Sequence, residues 1–275
     1  MGGREGGQHR PVLPLVFIDV DGTLVGTAGA PTDDVWAATA AAVGRGQHLA
    51  LATARPAFGP TWEWARRVDP DGWHLFQNGT SRVHTGTGEV DHTLLPGDAV
   101  AELIAVAAAR DWVVELYSDR ELAVDSDAPL AVAHADLLGV PHRRRPVEAL
   151  DGGVVRAQIV VPVSEAAAAR AVAPAGTVAH SATSPAMPGA AFVSITRQGS
   201  TKASAVALMA ESLGHPLDRV AMVGDGNNDA EALATVGHGI AMGNAEPEAR
   251  AAARHHVGDV DHGGLVEALA LTATL

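Results

Sequence analysis

The chain has 275 residues, enough for one large domain or two modest ones around a sizeable core. A hydrophobic fraction of 47% with 19% charged residues excludes a disordered chain, and the complete lack of cysteine excludes disulfide frameworks, thiolate nucleophiles and Cys-based zinc sites. The formal net charge of −13 argues against nucleic-acid binding, which wants a basic face. No apolar run reaches about 18 residues, so no membrane span is expected and the cytoplasm is the default compartment.

In chain order, the Gly-rich polar segment Met1–Arg10 reads as a disordered tail. Leu15–Val20 is a short apolar run interrupted only by Asp19 and followed by Asp21-Gly22, the pattern of a strand buried on both faces of a parallel sheet. His48–Thr53, Gly72–Phe76, Arg219–Gly224 and His238–Met242 are runs of the same kind. Helical patterns lie between them at Asp33–Val43 (N-capped by Thr32), Thr61–Val68, Ser200–Leu213 and Asp229–Val236. This alternation predicts a doubly wound α/β sheet.

The middle of the chain follows another rhythm. Ser81–His84 and Glu89–Leu94 form a hairpin pattern around Thr85–Gly88. A helix at Asp98–Ala109, strands at Trp112–Tyr117 and Arg120–Val124, and a helix at Ala128–Leu138 come next. A strand at Val154–Val161, a helix at Ser164–Ala173, and strands at Thr177–Ser181 and Phe192–Thr196 follow. The expectation is an α+β module inserted into the α/β domain: core at 11–83 and 198–275, insert at 84–197.

Chemistry concentrates at two strand ends. Asp19-Val20-Asp21-Gly22-Thr23 follows the first strand, where open α/β sheets bind ligands. Two carboxylates there either belong to an Asp-Gly turn with one side chain exposed, or hold a divalent cation; hard oxygen ligands suit Mg²⁺. Gly224-Asp225-Gly226-Asn227-Asn228-Asp229 brings two more carboxylates to the end of another buried strand, at a helix start. Its spacing does not fit an EF-hand calcium loop. Thr53 leaves the sheet with a hydroxyl and a backbone N–H. Lys202 lies in the first turn of a helix, where a bound anion would explain a cation that the helix dipole disfavours.

The ordered set Asp19-Val20-Asp21-Gly22-Thr23, Thr53-Ala54-Arg55, Lys202 and Gly224–Asp229 resembles the four motifs of the haloacid dehalogenase superfamily. The long insert looks like the type IIB cap of the Cof-type hydrolases, and Gln77-Asn78-Gly79-Thr80 and Gly237–Ala245 resemble that subgroup too. The resemblance implies a Rossmann-like core with a cap that reads the substrate, and an Mg²⁺-dependent phosphatase working through an aspartyl-phosphate. By that resemblance Asp19 is the nucleophile and Asp21 the general acid and base. Mg²⁺ is held by Asp19, Asp225 and the Asp21 backbone carbonyl. Thr53, Ala54, Arg55, Lys202 and Asn228 hold phosphate, and Asp229 orients groups around the metal.

Ala54 and Ala203 stand where family members commonly have glycine; neither change removes a functional group. The expected partner is a small phosphorylated metabolite, with sugar phosphates as the class the resemblance suggests. A dehalogenase would have no use for Asp21 or Asp225. A phosphomutase would use the same residues, and a silent binding protein would be expected to lack some of them. His255-His256, Trp62 and Trp64 read as packing residues. Arg143-Arg144-Arg145 reads as a solvated loop or as a contact for an anionic substrate.

Overall fold

The computed structural model describes residues 12–146, 149–184 and 187–275. The tail expected at 1–10 and the core boundary at Pro11 lie outside the described residues. In chain order the elements are β1 (Leu15–Ile18), α1 (Asp33–Gly44), β2 (His48–Leu51), α2 (Pro60–Val68), β3 (Trp73–Phe76), β4 (Ser81–His84) and β5 (Val90–His92). Next come α3 (Gly97–Arg110), β6 (Val113–Tyr117), β7 (Leu122–Val124), α4 (Pro129–Leu137), β8 (Arg156–Pro162), α5 (Ala166–Ala171), β9 (Thr177–Ser184) and β10 (Met187–Arg197). The chain closes with α6 (Lys202–Ser212), β11 (Val220–Gly224), α7 (Ala230–Thr235), β12 (His238–Ala241), α8 (Pro247–Ala252), β13 (His255–His256) and α9 (Gly264–Thr272). Among the described residues, 12–51 with 206–275 form one compact unit and 52–205 the other.

The first unit is built on a five-stranded sheet of order β13-β12-β11-β1-β2, parallel throughout. Every residue of β1 and β11 is buried, as their unbroken apolar character requires of central parallel strands. Strand order runs outward from β1 to β2 on one side and from β11 to β13 on the other. The chain therefore reverses direction between β1 and β11, and the crevice at their carboxyl ends is the switch point where such sheets bind ligands. Helix α1 is capped as its sequence predicts: the Thr32 hydroxyl accepts from the Val35 N–H at 3.4 Å, with Asp33 and Asp34 in the first turn. It packs on α9, and α7 packs on α8.

The second unit holds two antiparallel sheets, β7-β6-β8-β10-β9 and β3-β4-β5. Along β8 and β10 side chains alternate between two apolar clusters. Ala157, Ile159, Val161, Val193 and Ile195 join Leu103 and Leu116 in one; Val160 and Phe192 join Val113, Val124 and Ala131 in the other. Two differences from the sequence reading have simple causes. Gly72–Phe76, expected in the parallel sheet, keeps one parallel bridge there, Leu75 to Ala52 just past β2, and otherwise pairs antiparallel with β4 in the β3-β4-β5 sheet, because a short apolar run does not encode which neighbour it takes. β9 and β10 extend to eight and eleven residues, since the added stretches Ala182–Ser184 and Met187–Ala191 carry mostly Ala, Thr, Ser, Pro and Gly rather than an apolar run.

His74 on β3 is wholly buried, and its Nε2–H donates to the Asp69 carbonyl at 3.1 Å. Burial disfavours the imidazolium and lowers its pKa to about 4, against 6.5 when exposed. Between those values the unfolded chain binds the extra proton, so stability falls as pH drops through 6.5 and levels off below 4. Urea unfolding at pH 7.5 and 4.5 should show wild type losing about 2–3 kcal/mol more than His74→Gln, which keeps an N–H donor but does not titrate. Equal losses would refute the neutral buried histidine.

Candidate active site

β1 ends at Ile18 and the ladder carries on by one residue: the Asp19 N–H donates to the Val223 carbonyl at 2.9 Å. The chain then turns back on itself. Leu24 and Val25 donate to the Val20 carbonyl at 3.0 and 2.8 Å, and Gly22 donates to Val25 at 2.9 Å. Gly22 sits at φ +82°, and a Cβ there would lie 2.0 Å from an Asp225 carboxylate oxygen. Only glycine allows this close approach of the two strand ends. Within the turn Asp19 is 6% exposed, whereas Asp21 faces solvent.

The opposite wall follows β11. The Asp225 and Gly226 N–H groups both donate to Asp229 Oδ2 at 3.0 Å, so this fully buried carboxylate closes the turn that begins the Asn227–Asp229 helical segment. Gly224 is required beneath it, since a Cβ would meet Asp229 Oδ2 at 2.6 Å. The half-buried Asp225 carboxylate is held at both ends: Thr23 Oγ1 donates to Oδ1 at 2.9 Å and Asn244 Nδ2 to Oδ2 at 3.2 Å. Asn228 lies exposed on the same turn.

These constraints bring Asp19, Asp225 and Asp229 together, each with an oxygen within 4.8 Å of the others. Three carboxylates this close, two of them buried, carry a large desolvation and repulsion cost that a divalent cation offsets. The donor set is all oxygen, which fits Mg²⁺ better than a softer metal.

The remaining predicted residues lie in the second unit. Thr53 is buried; its hydroxyl accepts from the Arg55 N–H at 3.1 Å, and its carbonyl accepts from the Asn78 N–H at 2.8 Å. The Gln77 N–H donates to the Arg55 carbonyl at 3.0 Å. Gln77 and Asn78 make these bonds from left-handed backbone, φ +53° and +57°, a strained run that splints the Thr53-Ala54-Arg55 loop. The Arg55 guanidinium lies over the Trp64 ring, 5.2 Å from its centre. Lys202 opens α6 and is 2% exposed. The helix start is fixed by a reciprocal pair, Ser204 N–H to Thr201 Oγ1 at 3.1 Å and Thr201 N–H to Ser204 Oγ at 2.9 Å.

Sequence reasoning missed one buried cation here. Arg156 Nη1 donates to the Ala54 carbonyl at 3.1 Å, and its guanidinium covers the Tyr117 ring at 4.0 Å. At the first position of β8, it gave no spacing signal. The remaining features are mostly engaged locally. Trp62 packs near Phe76 and under Arg120. His255 meets His238 at 3.4 Å, and His256 bonds the Arg250 carbonyl at 3.0 Å. In the basic triplet Arg144 pairs with Asp125 and Arg145 with Glu121, while Arg143 and Arg145 line a cavity of about 280 Å³ with Phe58, Leu122, Val124 and His142.

Known proteins resemble this chain in sequence over part of its length and in fold over nearly all of it. Residues 176–269 match the haloacid dehalogenase-like hydrolase family. An HMP-PP phosphatase of Serratia proteamaculans (strain 568) is 46% identical over 50 residues, 18% of this chain and 18% of its own length. The chain thus spans under a fifth of that relative. Two solved structures share the fold across nearly the whole chain. A haloacid dehalogenase-like hydrolase from Bacteroides thetaiotaomicron has a TM-score of 0.83 at 23% identity, covering 94% of this chain and 98% of that one. The HAD subclass IIB sugar phosphatase BT4131 has a TM-score of 0.76 at 22% identity, covering 95% and 99%.

The turn chemistry carries a direct consequence. Asp229→Ala leaves the Asp225 and Gly226 N–H groups without their acceptor, at about 1–3 kcal/mol each. Chemical denaturation should show a loss of about 2–6 kcal/mol; a loss under about 0.5 kcal/mol would refute the capping role.

Proposed function

We infer that this chain, a haloacid dehalogenase-like hydrolase by its family match and its fold, is an Mg²⁺-dependent phosphatase of small phosphate monoesters. The observation that carries this reading is the convergence of Asp19, Asp225 and Asp229 at the switch point of a parallel sheet. A dehalogenase would need Asp19 but would leave Asp21 and Asp225 without a role.

Asp19, Asp225 and the Asp21 backbone carbonyl would hold the ion. When bound, Mg²⁺ would offset the carboxylate charge and polarise the phosphoryl oxygens. An Asp19 oxygen attacks phosphorus; the bond from phosphorus to the ester oxygen breaks, and Asp21 gives its proton to that leaving oxygen. Water then attacks the phosphorus of the aspartyl-phosphate and passes a proton to Asp21, releasing phosphate and restoring Asp19. Exposure of Asp21 beside buried Asp19 suits this division of labour, because a proton donor must meet both leaving group and incoming water. Thr53, Ala54, Arg55, Lys202 and Asn228 are assigned to the phosphoryl oxygens by the order of the motifs, with Lys202 supplying the positive charge.

The insert between the Thr53 and Lys202 motifs is assigned the reading of the leaving group. Sugar phosphates lead the substrate classes by resemblance, and HMP-PP belongs in the same panel because a relative is named for it. The setting is the cytoplasm; no helix among the described residues is long and apolar enough to cross a membrane.

Phosphate release across a panel of phosphorylated metabolites should require Mg²⁺, vanish in chelator and be poorly supported by Ca²⁺. Full activity in chelator would refute the metal role. In Asp21→Asn, turnover of alkyl phosphates should fall about 10²–10⁴-fold, while nitrophenyl phosphate gives a burst of nitrophenol and a mass increase of one phosphoryl group on Asp19. Uniform loss across leaving groups, with no burst and no added mass, would refute the assignment of Asp21.

A further inference from the structure

We propose that Asn244 is a positioning residue of the metal site, acting through Asp225; the proposal rests on the metal reading above. Asn244 follows β12, the strand beside β11, and its one amide joins three chain segments. Nδ2 donates to the Gly22 carbonyl at 2.8 Å and to Asp225 Oδ2 at 3.2 Å; Oδ1 accepts from the Val260 N–H at 3.0 Å. The amide orientation is fixed by its partners, since a carbonyl can only accept and a backbone N–H can only donate.

The consequence falls on the geometry of Asp225. Thr23 takes one lone pair of Oδ1 and Asn244 one of Oδ2, so the carboxylate plane cannot rotate without breaking a bond at either end. The same Nδ2 grips the Gly22 carbonyl, one peptide beyond the Asp21 carbonyl assigned to the ion. Asn244 thus ties the assigned ligand Asp225 to the peptide next to the other assigned ligand, from outside the coordination sphere, the place where second partners set affinity. A carboxylate held this way favours a small ion of strict geometry. Once released it can swing to share both oxygens with a larger ion, as Ca²⁺ accepts and Mg²⁺ does not.

Asn244 is exposed, so Asn244→Ala should fold and keep its melting temperature within a few degrees. Equilibrium Mn²⁺ binding followed by electron paramagnetic resonance, with Mg²⁺ and Ca²⁺ as competitors, reads the site without any reaction. The expected result is a 10–100-fold weaker affinity for Mn²⁺ and Mg²⁺ and a smaller loss for Ca²⁺. With substrate, the Mg²⁺ concentration for half-activation should rise by the same factor, while kcat and KM at saturating Mg²⁺ stay within about threefold.

Unchanged Mn²⁺ affinity, with or without a lower melting temperature, overturns the proposal and leaves Asn244 a loop staple. Equal losses for Mg²⁺ and Ca²⁺ overturn the orientation argument. Failure of the wild-type chain to bind Mn²⁺ overturns the metal reading and this proposal together. The expected shift in a chain that releases no phosphate would support the clamp and refute the phosphatase reading alone.

Discussion

Mutual repulsion among Asp19, Asp225 and Asp229 is the constraint on which the site depends. Three carboxylate oxygens within 4.8 Å, from residues that are buried or half-buried, would push their loops apart unless held by donors. Each loop carries such a restraint. The Asp19 N–H is tied into the parallel ladder, Asp225 is gripped by Thr23 and Asn244, and Asp229 is saturated on one oxygen by two backbone N–H groups. The glycines at 22 and 224 are needed because these carboxylates occupy the volume that side chains would otherwise fill.

A cost of this kind persists when function uses it. The carboxylates sit where β1 and β11 end side by side, at the reversal of strand order, so the sheet itself sets the spacing between Asp19, the proposed nucleophile, and Asp225, the proposed metal ligand. The register that pairs Ile18 with Val223 places Asp19 and Asp225 on neighbouring strand ends. A slip by one residue would turn Asp19 toward the opposite face and dissolve the cluster.

Much of this was legible in the sequence. Leu15–Ile18 and Val220–Gly224 announced themselves because central parallel strands are apolar on both faces, and a carboxylate directly after such a run is conspicuous. The inserted α+β module showed in its change of rhythm, with the hairpin β4-β5 marked by its Gly-containing loop. The antiparallel pairing of β3 with β4 was not legible, because strand pairing is a tertiary choice. Helices α8 and α9 were passed over, one being six residues long and the other opening on two glycines. Arg156 gave no signal, and Asn244, although inside the Gly237–Ala245 segment, gave none of its partners, for the same reason. Each acts on a loop more than one hundred residues away in sequence, |i−j| 222 for Asn244 to Gly22 and 102 for Arg156 to Ala54, and no local pattern encodes such a contact.

The proposed role of the acidic cluster is to hold a divalent metal at the switch point of the sheet. Anomalous scattering from crystals of the chain grown with Mn²⁺ tests it most directly. One strong peak is expected within about 2.0–2.3 Å of oxygens from Asp19 and Asp225 and of the Asp21 carbonyl. A crystal in which the three carboxylates gather around no peak, with manganese bound elsewhere or not at all, would contradict it.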